Sequence, residues 1–525
     1  MKKINLSLLL GLIMWTNVKA QNVNFSEHIA PIIYNHCTSC HRPGEVGPFS
    51  LTNYNEVYSW GEMIEYVTTL KYMPPWKPDP NYRHFQRENF LTDAEIQKIA
   101  DWVNAGKPQG NPALEPPLPN FPIGSQVGQP DLVLSFAKKY KHVGNNLDEY
   151  RYFVIPTGLT QNKDLIGLEV RPGNTKIAHH ALLWEDTTGT AAAIDAQDTI
   201  YGYETGANNS TSLLNGQLPG YVPGMRPVLY QFGMAQKLRS GSDITIQMHY
   251  APTPVDEFDS TTINLFFAPQ SATRYIKSKV MVPLPGTLTN GPFFIPANQI
   301  KEFHGTYTFN EKVSLLNIAP HMHLLGVSWR VFAMTPQGDT AKLIRINEWD
   351  FNWQGSYSFK QPVVLPAGSV IHAYAKYNNT SNNIHNPNNP PIGVTWGENT
   401  SDEMYYLPFS WVSYQAGDEN LVFESGTTNI FKNDIYTLKN KLYPIAPNPA
   451  KGNIKLGFSI VEKGNVSIKI FDLSGKLVAE PISSKLYFEG LHYYDFDASG
   501  LTNGIYNVNL QINGKQSMQK LMILD

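Results

Sequence analysis

Cysteine is nearly absent. The 525 residues contain two, Cys37 and Cys40, so no disulfide framework can substitute for core packing. Charge is also sparse, at 16% with a formal net of −3, which excludes the basic footprint of a nucleic-acid-binding protein. Past the first twenty residues no uninterrupted apolar run reaches membrane length, so no later helix is expected to span a bilayer. No His-Glu-x-x-His cluster occurs, and a zinc hydrolase of that kind is not expected. What is present starts with Lys2-Lys3, the apolar stretch Leu8 to Trp15, and Val18-Lys19-Ala20. That order matches a cleaved secretory signal over residues 1–20, with the mature chain starting near Gln21.

The two cysteines sit in Cys37-Thr38-Ser39-Cys40-His41. A redox pair, a disulfide, half a zinc site and haem attachment all use Cys-x-x-Cys. The histidine directly after the second cysteine favours haem c, bonded through Cys37 and Cys40 and ligated by His41. Residues 21–110 read as helical. Thr92 and Glu95 form a capping-box signal, Ile96, Ile99 and Val103 follow at helical spacing, and Gly106 and Pro108 stop the run. This segment resembles a small all-α class I cytochrome c domain, which implies a second axial ligand downstream. Met73, in Tyr72-Met73-Pro74-Pro75-Trp76, is the expected one. Its rivals are Met63, His84 and His28, and a core methionine is the plainer reading.

Residues 111–130 carry Pro112, Pro116, Pro117, Pro119, Pro122 and Pro130, as a semi-rigid linker does. From residue 131 the text becomes short alternating runs broken by Gly, Pro and Asn, such as Thr245 to Tyr250. The length suits two antiparallel β-sandwiches, over 131–276 and 277–428. Three apolar-flanked histidine motifs fall in this span: His179-His180, His249 in Gln247-Met248-His249-Tyr250, and His321-Met322-His323. In a strand, His321 and His323 face one side and can chelate one ion. His179 and His180 can do so only where the backbone is irregular.

His-His, Gln-x-His-Tyr, His-x-His-x-x-Gly and Thr400-Ser401-Asp402-Glu403-Met404, in this order, resemble the copper type II, ascorbate-dependent monooxygenases, the family of peptidylglycine α-hydroxylating and dopamine β-monooxygenases. The resemblance covers about 131–425. It implies two copper ions: one held by His179, His180 and His249, the other by His321, His323 and Met404, with dioxygen reacting at the second. Three imidazoles suit a copper that changes oxidation state, and a thioether favours Cu(I). Met404 as core packing is the rival reading. The chain departs from the family in having no disulfides and in placing Ala319 where the peptide-amidating enzyme has an arginine that grips a carboxylate, so a peptidylglycine substrate is not expected.

Residues 443–525 open on Tyr443-Pro444-Ile445-Ala446-Pro447-Asn448-Pro449-Ala450, continue through Gly504-Ile505-Tyr506, and close on Lys520-Leu521-Met522-Ile523. They resemble a type IX secretion sorting domain of Bacteroidetes, a small C-terminal β-sandwich. This implies passage through the periplasm and across the outer membrane, with the type IX machinery as a partner. The multidomain, mainly β chain is thus expected to be a monooxygenase that hydroxylates a C–H bond of a small-molecule or peptide substrate. Dioxygen and an external electron donor are its co-substrates, and electrons pass through the haem. The alternative is a non-catalytic haem and copper electron-transfer or copper-binding protein.

Overall fold

The computed structural model describes residues 23–119, 125–204, 216–225, 227–268, 271–423, 440–442, 445, 448–461, 463–487 and 490–524. The expected signal at 1–20, part of the Pro-rich linker, nearly all of the boundary stretch around 429–441, and several residues of the Tyr443–Ala450 opening lie outside the described residues.

The chain divides into two units, the first comprising 1–75 and 89–120. Its described part is helical: Phe25–Ile29 runs into Ala30–His36, followed by Tyr54–Ser59, Gly61–Thr69 and Asp93–Asn104. The Thr92 side chain accepts from Glu95 N, and the Glu95 carboxylate accepts from Thr92 N, closing the capping box. Phe25, Ile29, Ile33, Ile99 and Trp102 form one buried core.

The second unit comprises 76–88 and 121–525 and is mainly β, as the alternating text requires. In the first sandwich, Glu149–Pro156, Asp243–Tyr250, Ala178–Asp186 and Gln217–Tyr221 form one sheet in that spatial order. It packs on a second sheet through Phe153, Leu168, Leu183, Ile246 and Leu265. The chain pairs with this sandwich up to Tyr275 and with the next from Lys277. In the second sandwich Val313–Ile318 lies between Leu407–Ser413 and Tyr357–Leu365. A facing sheet is built on Gln299–Thr308, Val370–Asn379 and Gly326–Met334.

Residues 76–88, inside the stretch expected as one haem domain, pack with this second sandwich. Phe85, 1% exposed, joins its core and bridges to Phe359, with ring centroids 5.5 Å apart. Asp79 accepts from Arg345 Nε at 2.9 Å. Nothing in the Pro-rich text of this segment announces a strand, so its destination depends on the sandwich that receives it.

Candidate metal centre

His179 and His180 lie on Ala178–Asp186, and His249 on the adjacent Asp243–Tyr250. The register between these strands shifts between Ala178 and His180. That bulge lets two successive imidazoles turn to one side. His180 Nδ1 lies 3.3 Å from Nδ1 of His179 and 3.3 Å from Nδ1 of His249. One ring nitrogen from each of the three falls within 4.8 Å of the others. A single imidazole nitrogen has one proton or one lone pair, so it cannot satisfy two nitrogen neighbours. Three lone pairs converging on a cation resolve the conflict. Burial and the neighbouring histidines lower all three pKa values, His179 to about 3, which keeps the rings neutral and able to ligate. His249 Nε2 meets Asp148 Oδ1 at 2.6 Å. As a donor there, Nε2 leaves the Nδ1 lone pair for the cluster. Tyr150 stacks on His249 at 4.1 Å and reaches Thr400 Oγ1 of the other sandwich at 2.9 Å.

His321 and His323 follow the Val313–Ile318 strand in an extended loop, their ring centroids 5.2 Å apart. His321 Nδ1 pairs with Gln354 Oε1, and the Gln354 amide nitrogen donates to Phe351 O at 2.7 Å. His323 Nδ1 donates to Asp402 O at 3.1 Å. Both rings therefore keep Nε2 as the free lone pair. Burial pushes His323 down to about 4 and His321 well below the ordinary range. Beneath them the buried Glu403 carboxylate accepts from the backbone N–H of His323, Leu325 and Met404. Burial pushes Glu403 up to about 8, against three N–H donors that favour its ionised form. The two histidine groups face each other. His180 and His321 centroids are 6.0 Å apart, and Phe351 lies 5.3 Å from His179 and 5.7 Å from His323.

His180, His321 and Met404 open onto one cavity of about 530 Å³ between the sandwiches, walled largely by side chains such as Leu218, Val228, Phe293 and Trp396. His249 and His323 do not line it.

In the helical unit, Cys37 and Cys40 are free and half-buried, and burial pushes the Cys37 thiol up to about 12. His41 Nδ1 donates to Phe49 O at 3.1 Å, leaving Nε2 available. A Cβ on Gly47 would sit 2.7 Å from Cys40 O and 2.9 Å from His41 Nδ1, so only glycine fits where the loop crosses the motif. Met73 is half-buried after the Gly61–Thr69 helix.

At the far end of the chain, Asn448 donates to Lys520 O and accepts from Met522 N, both at 2.8 Å. This ties the Pro-Asn-Pro-Ala opening to the closing strand, Lys515–Ile523. Residues 444–524 match the family model described as a secretion system C-terminal sorting domain. The C-terminal module is a sorting domain. It directs export by type IX secretion to the cell surface or outside, with the secretion machinery as partner. The sorting domain has its own core, including Leu456, Phe458, Ile468, Val508 and Leu521.

No curated protein matches the chain. Similar solved structures include a β-D-glucuronidase of Dictyoglomus thermophilum, with 8% identity, 49% of this chain and 44% of that one covered, and a TM-score of 0.13. A β-glucuronidase of Faecalibacterium prausnitzii has 10% identity, 49% and 47% coverage, and a TM-score of 0.13. A two-domain protein of unknown function from Bacteroides fragilis has 10% identity, 50% and 95% coverage, and a TM-score of 0.14. The chain spans less than half of either glucuronidase, and likeness at these TM-scores bears on neither fold nor activity.

Sequence reasoning missed Asp148, Gln354 and Phe351 and did not single out Glu403. Glu403 was in view beside Met404 in the quoted motif. Gln354 and Phe351 lie in the aromatic run Trp349-Asp350-Phe351-Asn352-Trp353 and the residue after it, a cluster unusual enough to have been a signal. Asp148 had none.

Proposed function

We propose that the chain is a copper-dependent monooxygenase that hydroxylates a C–H bond of a small molecule. One oxygen atom of dioxygen enters the product and the other leaves as water, so each turnover takes two electrons and two protons. The observation that carries this reading is the cluster of His179, His180 and His249 facing His321 and His323, with His180, His321 and Met404 among the residues that line one largely apolar cavity.

The donor set fits copper. Neutral imidazoles, with a soft thioether and no carboxylate among the expected ligands, suit a metal that changes oxidation state better than magnesium or calcium. His179, His180 and His249 would hold one ion, and His321, His323 and Met404 the other. Bound copper would supply one-electron redox chemistry with dioxygen. Asp148 fixes the tautomer of His249, while Gln354 and the Asp402 carbonyl fix those of His321 and His323. Glu403 holds the loop that carries the second pair. Burial of His249 and His323 strengthens the contacts that fix their tautomers.

Cys37, Cys40, His41 and Met73 would hold haem c, which would supply one-electron transfer; this part of the reading rests on the fusion of both sets of residues in one chain. The test combines metal analysis of the purified full-length protein with mass spectrometry of products formed under ¹⁸O₂ and a reductant. Two coppers per chain and one labelled oxygen in the product are expected. Copper without oxygenated product, across chemically diverse candidates, would leave an electron-transfer or copper-holding protein.

A further inference from the structure

On the sheet built on Gln299–Thr308, Val370–Asn379 and Gly326–Met334, alternate residues divide between core and solvent. Trp329, Val331 and Ala333 are fully buried, so Arg330 and Phe332 between them face outward. Gly326–Met334 also pairs with the edge strand Thr340–Ile346. The register draws two outward rows across this face. His304, Tyr374, Arg330 and Arg345 stand side by side in one, and Thr306, His372, Phe332 and Lys342 in the next.

Arg330 and Arg345 are therefore directly opposed, and like charges so placed destabilise a sheet. Segment 76–88 adds to the crowding. The Tyr82 ring centroid lies 5.3 Å from Lys342 Nζ and 4.9 Å from the Arg345 guanidinium carbon, and Arg83 Nε donates to Lys342 O. Burial raises the Tyr82 phenol, while the Arg330, Arg345 and Arg83 charges oppose that rise. Of these four cations only Arg345 has a carboxylate partner among the described residues, Asp79. On the other side of the first row Glu302 stands opposite Lys376, a balanced pair, so the excess of positive charge is confined to the edge.

Arg330 is exposed, with its guanidinium carbon 4.4 Å from the Tyr374 ring centroid and 5.7 Å from that of Phe332. His304 backs Tyr374 at 4.2 Å and His372 backs Phe332 at 5.2 Å. Ring faces hold the arginine, and among the described residues no acceptor meets its N–H donors. A guanidinium already ordered by stacking loses little further freedom on binding. Its planar fork fits an oxyanion through two parallel hydrogen bonds.

The cations are spread along an open strand face instead of converging in a pocket, which suits repeated anionic groups on a polymer better than one small ion. A protein partner would need an apolar core to its patch, and the rings here are spent on Arg330, His304 and His372. The net charge of −3 lacks the broad basic footprint of nucleic-acid binding. The sorting domain carries the chain to the cell surface or outside, where polysaccharide is at hand.

We propose that this edge of the second sandwich is a binding face for an acidic polysaccharide, whose sulfate or carboxylate groups are taken by Arg330, Lys342 and Arg83. It stands apart from the histidine groups and does not depend on the oxygenase reading.

The test measures binding of the full-length protein, at low ionic strength, to dextran sulfate, polygalacturonate and uncharged dextran, with polyglutamate and single-stranded DNA as competing polyanions. Retention on dextran sulfate or polygalacturonate and none on dextran is expected. Arg330→Gln combined with Lys342→Gln should weaken it by at least about tenfold, the loss of one charge-assisted contact. Lys139→Gln combined with Lys279→Gln, which removes two exposed lysines elsewhere, should change it by less than about twofold. Arg330→Gln relieves the opposition to Arg345, so the fold should hold in a thermal melt. Should it not hold, Arg330→Lys, which keeps the charge and loses the fork, should still weaken binding severalfold. No retention on either acidic polysaccharide, equal losses in the two double variants, or tighter binding of polyglutamate or DNA would overturn the proposal.

Discussion

The two histidine groups are built on different principles. His179, His180 and His249 project from two neighbouring strands inside a four-stranded sheet; His249 pairs with Tyr150 on one side and with His180 on the other, so the backbone ladder fixes where these two rings stand. Past the end of its strand His321 is bridged to Tyr406 by backbone hydrogen bonds, and next to it a single buried carboxylate, Glu403, accepts from the backbone N–H groups of His323, Leu325 and Met404. The first group is placed by sheet registry, and the second by one backbone bridge together with one buried side chain. A site that must admit a substrate tolerates a loop-borne ligand pair, whereas one that only passes electrons gains from a fixed geometry.

The sharpest way to break this contrast is Glu403→Ala. It strands three buried N–H groups at about 1–3 kcal/mol each. Chemical denaturation of the full-length variant should show a loss of more than about 3 kcal/mol, with the second metal lost and the first retained. Equal loss of both metals would mean that the sites are not independently supported.

A smaller effect is expected from Asp148→Asn, which leaves the sheet intact but weakens the hold on the His249 tautomer. Metal affinity of the first site alone should drop about 10–100-fold by competition titration; an unchanged affinity would remove Asp148 from the centre.

The third expectation concerns pH. The folded metal-free protein keeps protons off His179 and His323 until about 3 and about 4, whereas the unfolded chain takes them up below about 6.5. At these two rings the unfolded state then binds more protons, so their contribution is full above about pH 6.5 and declines as pH falls toward 4, while Glu403, pushed up to about 8, contributes with the opposite sign and loses its share as pH rises toward 8. Thermal melts between pH 7.5 and 5 should show this slope, reduced in His179→Asn and His323→Asn. Identical slopes in the wild type and both variants would contradict the burial of these rings.

What could be read in the sequence follows the same divide. The strand carrying His249 announces itself by alternation, and the His179-His180 pair could share an ion only with the kind of irregularity seen between Ala178 and His180. The capping box at Thr92 was equally legible because its partners are three residues apart. Asp148 reaches His249 across 101 residues, and no local pattern marks such a partner. Gln354 and Phe351 are placed by a loop whose course depends on the sandwich beneath it. The proline-rich text of Trp76–Glu88 has no periodicity to reveal that Phe85 belongs to a β core. For Phe85 the information sits in the cavity that receives it, which only the assembled sandwich contains.

That excursion has a consequence for how such a chain could have been assembled. Because 76–88 completes the core of the second sandwich while 89–120 returns to the helical unit, no single cut separates the two modules cleanly. A fragment beginning at residue 111 would lose Phe85 and open a hole of the kind that costs about 3–5 kcal/mol for Phe to Ala in a core. The two units are interleaved in sequence, so removing either as one continuous stretch cuts into the other.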